Sequence, residues 1–245
     1  MKNVLIGTFS CKSNLDIVKE LQRLKIYEGF DNQYYVISLR DSDHFKSYNC
    51  LSLDIDDCYE RLIFKTIELF KYFIDSKYEY CFKCDDDSFV DLQRLSNFDY
   101  KKVDYAGLFV NTNIKDQLTY FKDKNMSYKG EFRDTLKYSF CVGGGYFVSK
   151  KVAETVVNNY KKSYEYHRYE ECGMAACEDR MVGQLVTNDF VKFSHGKIIE
   201  GDTASFHPDS DKVFYSALFD SVYHSVGIDI LNKIPHKSLG HIKMV

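Results

Sequence analysis

A chain of 245 residues, 44% hydrophobic and 28% charged, has the composition of an ordinary soluble globular protein and suits one large domain or two small ones. A net charge of −3 leaves no basic surplus for holding nucleic acid. The N-terminal apolar run Val4-Leu5-Ile6 is too short for a signal peptide or a membrane span, and no later stretch is long and uncharged. No membrane span is therefore expected, and the chain is expected to be cytoplasmic.

The first elements follow a β-α-β-β-α-β order. Asn3 to Ile6 has a buried-strand pattern, and Gly7 to Asn14 reads as a polar turn with helix-capping residues. Leu15 to Tyr27 spaces its apolar residues as a helix does. Gln33 to Leu39 is a second strand with Arg40-Asp41-Ser42-Asp43 as its exit, and Leu51 to Ile55 a third. Asp56 and Asp57 are expected to open a helix running to Ile74, whose dense apolar positions suit packing on a sheet. A strand from Tyr78 then runs into Asp85-Asp86-Asp87, followed by Phe89 and Val90. Such alternation predicts an α/β fold with a mainly parallel central sheet flanked by helices. In these sheets ligands bind beyond the C-terminal strand ends, where both the acidic triplet and the Gly7–Ser13 turn fall.

Beyond residue 91 the texture changes. Asp104 to Val110 is a strand, and Asn111 to Lys137 is polar and irregular, a hairpin or flexible loops. Three consecutive glycines, Gly143, Gly144 and Gly145, lie between apolar runs. They mark a tight turn with unusual dihedrals, or a close backbone approach that leaves a floor for a ligand such as a sugar. Ser149 caps a helix to Tyr160, and Glu178-Asp179 opens a helix through Arg180 to Leu185, where acids favour the N-terminus. Further β structure is expected over Phe190–Ile199, and Val213–Val226 is amphipathic. No linker or repeat divides the chain, so residues 1–245 read as a single domain. Within it, 1–90 would bind nucleotide, 91–209 would hold the acceptor and the catalytic residues, and 210–245 would form a tail.

The triplet carries the chemistry. Three adjacent carboxylates repel one another, and burying them unpaired is expensive. A hard divalent cation shared with a substrate phosphate would hold them, and the alternative is a solvated acidic loop. The eight cysteines are irregularly spaced. Cys81 and Cys84 form a CxxC, but residues three apart on a strand face opposite sides, and no second CxxC completes a zinc site. Buried free thiols in a reducing compartment are expected, with disulfides as the alternative for a secreted protein.

Several segments together resemble the inverting β-1,3-glycosyltransferases, the family of β-1,3-galactosyltransferases, β-1,3-N-acetylglucosaminyltransferases, Fringe and the core 1 galactosyltransferase. Asp54, Asp57, Tyr59, Leu62, Lys65 and Thr66 fit its D-x-x-D-x-Y-x-N-L-T-x-K-T segment. Lys83 to Val90 fits K-x-D-D-D-x-F-V, Gly143 to Ser149 fits G-x-G-Y-x-x-S, and Glu178 to Gly183 fits E-D-V-x-x-G. Phe206-His207 is similar to a late Phe-His segment. The blocks come in family order. Departures include Arg61-Leu62-Ile63 for Asn-Leu-Thr, Tyr138-Ser139-Phe140 for Pro-Pro-Tyr, and the missing membrane anchor and stem.

The resemblance implies a GT-A type fold and a UDP-sugar donor whose hexose or N-acetylhexosamine passes to a hydroxyl of a glycan or glycoprotein acceptor, with a β-1,3 linkage. It implies Mn²⁺, with Mg²⁺ as the alternative, held by Asp87 and His207, with Asp85 on the ribose, the metal or its water and Asp86 in support. It assigns the acceptor's base to Asp179, with Glu178 binding or positioning beside it. Gly143, Gly144 and Gly145 would let the sugar approach the backbone, and Thr8, Phe9 and Ser10 would line the nucleotide pocket. Lys65 either faces the donor or is a solvated helix-face lysine. A cytoplasmic location would fit a viral or microbial enzyme acting outside a Golgi. Two other readings use the same residues. One is a catalytically inactive nucleotide-sugar or glycan-binding module of this fold, against which Asp87, Asp179 and His207 together argue. The other is a metal-dependent nucleotidyltransferase or phosphotransferase, for which no basic triphosphate cradle is found.

Overall fold

The computed structural model describes residues 2–58, 61–90, 92, 96, 101, 104–113, 137–166, 178–187 and 222–223. Strands β1 (Val4–Phe9), β2 (Gln33–Ser38), β3 (Cys50–Leu53), β4 (Tyr80–Asp85), β6 (Tyr105–Asn113) and β7 (Lys137–Ser149) form one six-stranded sheet in the order β3-β2-β1-β4-β7-β6. The first four are parallel, and β7 and β6 add antiparallel at the β4 edge. A two-stranded ribbon pairs β5 (Phe89–Val90) with β8 (Val222–Tyr223). Four α-helices, α1 (Leu15–Arg23), α2 (Leu62–Asp75), α3 (Lys150–Tyr166) and α4 (Glu178–Thr187), and two 3-10 helices, Lys12–Asn14 and Leu39–Phe45, complete the described elements. None of the described helices is long and apolar enough to cross a membrane.

The expected α/β alternation holds, and the differences have local causes. β1 runs on through Phe9 because Gly7, Thr8 and Phe9 pair with both β2 and β4, so the polar turn begins only at Ser10. Gly7 permits this, since a Cβ there would lie 2.6 Å from a methyl carbon of Leu69 on α2. α1 stops at Arg23 rather than Tyr27, and the chain then turns through positive φ at Lys25 (57°) and Gly29 (80°). α2 starts at Leu62, not at Asp56: Asp57 resembles a helix opener, but its carboxylate is engaged by Lys65.

β6 and β7 extend into the stretch read as irregular, with Asn111, Thr112 and Asn113 facing Ser139, Tyr138 and Lys137 as the arms of a hairpin. The three glycines lie inside β7, and none of them has a positive φ, so the tight-turn reading fails. α3 continues to Tyr166 and α4 to Thr187. The stretches 190–199 and 203–208 lie outside the described residues, as does 213–226 apart from β8.

The core sits chiefly between the sheet and α2, α3 and α4. Ile67, Leu69, Phe70 and Phe73 of α2 are buried, each contributing about 1.5–3 kcal/mol by removal from water. Val152, Ala153 and Val156 of α3 and Met181, Val182, Leu185 and Val186 of α4 join the same cluster. Side-chain alternation divides β2: Val36 enters this core, whereas Tyr35 and Ile37 pack with Val18 and Phe45 in a second one. The apolar face of α4 thereby anchors the helix and brings its acidic N-terminus to β7. Cys11, Cys50, Cys81, Cys84 and Cys141 are free thiols, and Cys58 is exposed.

Candidate active site

The site forms where β1 and β4 end. Phe9 pairs with Asp85 in the parallel register, and the amide of Asp86 donates to Phe9 O at 3.0 Å. Ser88 N–H then donates to Asp85 O at 3.2 Å, closing a tight turn around the acidic triplet. This turn gives the three carboxylates different surroundings.

Asp86 points inward. It accepts from Ser10 Oγ at 2.6 Å and Asn14 Nδ2 at 2.9 Å and is 4% exposed. Burial pushes its carboxyl up to about 7, against the opposing pull of those two hydrogen bonds. Asp86 thus brackets the loop after β1 to the loop after β4. Asp85 and Asp87 are half-buried on the turn.

Lys83 shares a strand face with Asp85 because side chains two apart on β4 point the same way. Its ammonium is 2.7 Å from Asp85 Oδ1 and 3.1 Å from Glu178 Oε2, and donates to Gly143 O at 3.2 Å. It also stands 4.7 Å from the centroid of the Phe9 ring, a cation–π contact. Burial works against its charge, but Asp85 and Glu178 outweigh that and hold it above the ordinary lysine range. Glu178, the first residue of α4, is 4% exposed and also accepts from Tyr146 Oη. Burial and then the charge of Glu178 hold the Tyr146 hydroxyl well above the usual phenol range, so it remains a donor.

Asp179 meets this group through Gly143, whose amide donates to Asp179 Oδ2 at 3.2 Å. A Cβ on Gly143 would lie 3.1 Å from Asp85 Oδ2, 3.3 Å from Lys83 Nζ and 3.8 Å from Asp179 Oδ2. The missing side chain is what lets the carboxylates of β4 and α4 approach the same short piece of backbone. Gly144 and Gly145 are buried in the continuation of β7.

The structure therefore brings Asp85, Gly143, Glu178 and Asp179 together. It places others apart from open surface. Thr8 is fully buried, with its hydroxyl 3.3 Å from Tyr27 Oη and 3.2 Å from Gln33 Nε2. Phe9 is 5% exposed and lies under Lys83, and Ser10 is spent on Asp86. Thr8 thus faces the interior rather than a pocket, because both faces of β1 are covered and Tyr27 and Gln33 meet its hydroxyl there. Lys65 is neither solvated nor turned to a donor: it is 2% exposed and donates to Ser10 O and Asp57 Oδ1, both at 2.8 Å. Lys83 and Tyr146 were legible only as letters of the matched segments. The signal that could have found Lys83 is its two-residue spacing from Asp85.

Among the described residues no three His, Cys, Asp or Glu side chains converge as a complete metal centre. The inward turn of Asp86 is one reason, and His207 lies outside the described residues. Asp85 nonetheless turns a carboxylate oxygen toward Gly143, and Asp87 lies half-buried two residues on in the same turn, both bearing the oxygen ligands that hard divalent cations take.

A family model described as "Galactosyltransferase" matches residues 31–195, a span that includes Asp85, Gly143 and Asp179. One similar solved structure is described as "Crystal structure of a glycosyltransferase involved in the glycosylation of the major capsid of PBCV-1". It shares 10% identity at a TM-score of 0.35, over 67% of this chain and 66% of its own, so the chain spans just under two thirds of that structure's length. No curated protein matches the chain. With more than half of its residues matched by the family model, the chain belongs to the galactosyltransferase family of glycosyltransferases.

Proposed function

We propose that the protein is an inverting glycosyltransferase that moves a hexose or N-acetylhexosamine from a UDP-sugar to an acceptor hydroxyl, forming a β-1,3 linkage. The observation that carries this reading is the meeting of Asp179 and Asp85 over Gly143, with Asp179 Oδ2 held at 3.2 Å by the Gly143 amide. A carboxylate held by a backbone amide is suited to receive a proton from an acceptor hydroxyl brought within hydrogen-bond reach. In the transfer, the acceptor oxygen bonds to the anomeric carbon from the face opposite the nucleotide. Its proton goes to Asp179, and the electron pair of the breaking bond leaves with UDP.

Asp87, with Asp85 and His207, would hold Mn²⁺ or Mg²⁺. When bound, such an ion neutralises charge developing on the diphosphate. Asp86 and Lys65 act behind this surface: they fix the loop after β1, against which the nucleotide would lie. A glycan or glycoprotein is the acceptor class.

The test is release of UDP from a panel of UDP-sugars with Mn²⁺ present. Asp179→Asn and Asp87→Asn are expected to abolish release. Full turnover by both variants would overturn the assignment. Binding of UDP by a wild-type protein that turns over no donor would favour an inactive nucleotide-sugar-binding module.

A further inference from the structure

Glu178 occupies the position next to the proposed base, yet its carboxylate points into the protein. Lys83 Nζ lies 3.1 Å from its Oε2, and Tyr146 Oη donates to its Oε1. Lys83 and Tyr146 are register partners across the β4–β7 pair, so the two donors reach Glu178 from adjacent strands. All three side chains are 4% exposed or less.

We propose that Lys83, Tyr146 and Glu178 form a buried lock that positions Asp179, and that Glu178 is a positioning residue rather than a substrate contact. The inference rests on the reading of Asp179 as the base. Two connections carry the coupling, one covalent and one through hydrogen bonds. Glu178 precedes Asp179 in the first turn of α4, so pinning the Glu178 side chain fixes the peptide from which Asp179 projects. Gly143 is shared from the other side, its carbonyl accepting from Lys83 and its amide donating to Asp179. Lys83 therefore acts on Asp179 through α4 and through β7 at once. Tyr146 is itself backed by Tyr105, edge-on at 5.7 Å, whose hydroxyl accepts the Cys141 amide at 2.9 Å. With both of its oxygens met from inside, Glu178 has its geometry set before any ligand arrives.

Tyr146→Phe tests the lock most cleanly, because it removes one hydroxyl and keeps the ring. Two readouts are needed: hydrogen exchange at the Gly143 amide in the ligand-free protein, and kcat and donor KM with the UDP-sugar that the wild type uses. The lock predicts that Gly143 exchange speeds up about tenfold as its acceptor loosens. It also predicts that kcat falls about tenfold to a hundredfold while donor KM stays constant. A role in folding alone would lower the melting temperature and leave kcat intact below it. Unchanged Gly143 exchange overturns the lock, and faster exchange with unchanged kcat overturns its positioning role. Glu178→Gln keeps an acceptor for Tyr146 and removes the charge opposite Lys83. A rise in donor or acceptor KM with kcat preserved would make Glu178 a substrate contact and sink the proposal. If Gly143 exchange responds but the wild type turns over no UDP-sugar, the lock stands and the glycosyl-transfer reading fails.

Discussion

Lys83 and Glu178 form an ion pair at 3.1 Å in which neither side chain is more than 4% exposed. Removing one member of such a pair strands the other charge away from water, so Lys83→Met is expected to destabilise the fold by about 3–5 kcal/mol. The sign of the pH dependence follows from the raised Lys83 value. Its contribution is fully present below the ordinary lysine value of 10.5 and is lost only as pH rises through the higher folded value. Chemical unfolding of wild type and Lys83→Met between pH 6 and 9 should therefore give a constant gap. A gap that closes within that window would show that Lys83 is not held charged.

Gly143→Ala is the next prediction. The added methyl would stand 3.1 Å from Asp85 Oδ2 and 3.3 Å from Lys83 Nζ, tighter than side chains ordinarily pack. We expect a folded protein destabilised by about 1–3 kcal/mol, with turnover reduced far more than stability. Thermal melting and UDP release measured on the same preparation separate the two effects.

Asp86 is expected to matter for the loop after β1 rather than for chemistry. Asp86→Ala leaves Ser10 Oγ and Asn14 Nδ2 without their acceptor, at a cost of about 1–3 kcal/mol. Amide exchange should rise at residues 10–14, and unchanged protection there would remove the bracket from the account.

Thiol reactivity provides a pH test away from the site. Cys58 is exposed, whereas burial pushes the half-buried Cys50 thiol up to about 11. Alkylation at pH 8 should modify Cys58 before Cys50. Cys50 labelling should climb about tenfold per pH unit without levelling off before about pH 11, since the thiolate is the reactive form. Cys81, Cys84 and Cys141, fully buried, should react only on unfolding. Peptide mass spectrometry would follow each position.

The order of strands and helices was readable because period-two and helical spacings record which side of an element is dry. At Thr8 and Asp57 the reading failed because a polar side chain had an internal partner outside its own short stretch of sequence. Thr8 looked like a turn residue because its hydroxyl is polar, but Tyr27 and Gln33 meet it in the interior. Asp57 looked like the opening of a helix, but Lys65 recruits it. The same limit applies at the site. The acidic triplet and the Glu178-Asp179 pair stood out by composition, yet nothing local shows that Asp86 turns inward while Asp85 faces Lys83. The central place of Lys83 depends on β4, β7 and α4 converging, and that is a property of topology.

The ribbon that joins Phe89 and Val90 to Tyr223 and Val222 has a consequence for the order of assembly. Phe89 lies two residues past Asp87, so the acidic turn is flanked by a strand whose partner, at 222–223, is made long after it. β1 to β4 can pair as soon as they exist, because their connections are short, whereas this contact must wait for a very long loop to close. The carboxylate-bearing turn would then gain its flanking ribbon only after the parallel part of the sheet has formed, and a chain arrested before residue 222 would carry that sheet without the ribbon beside its acidic turn.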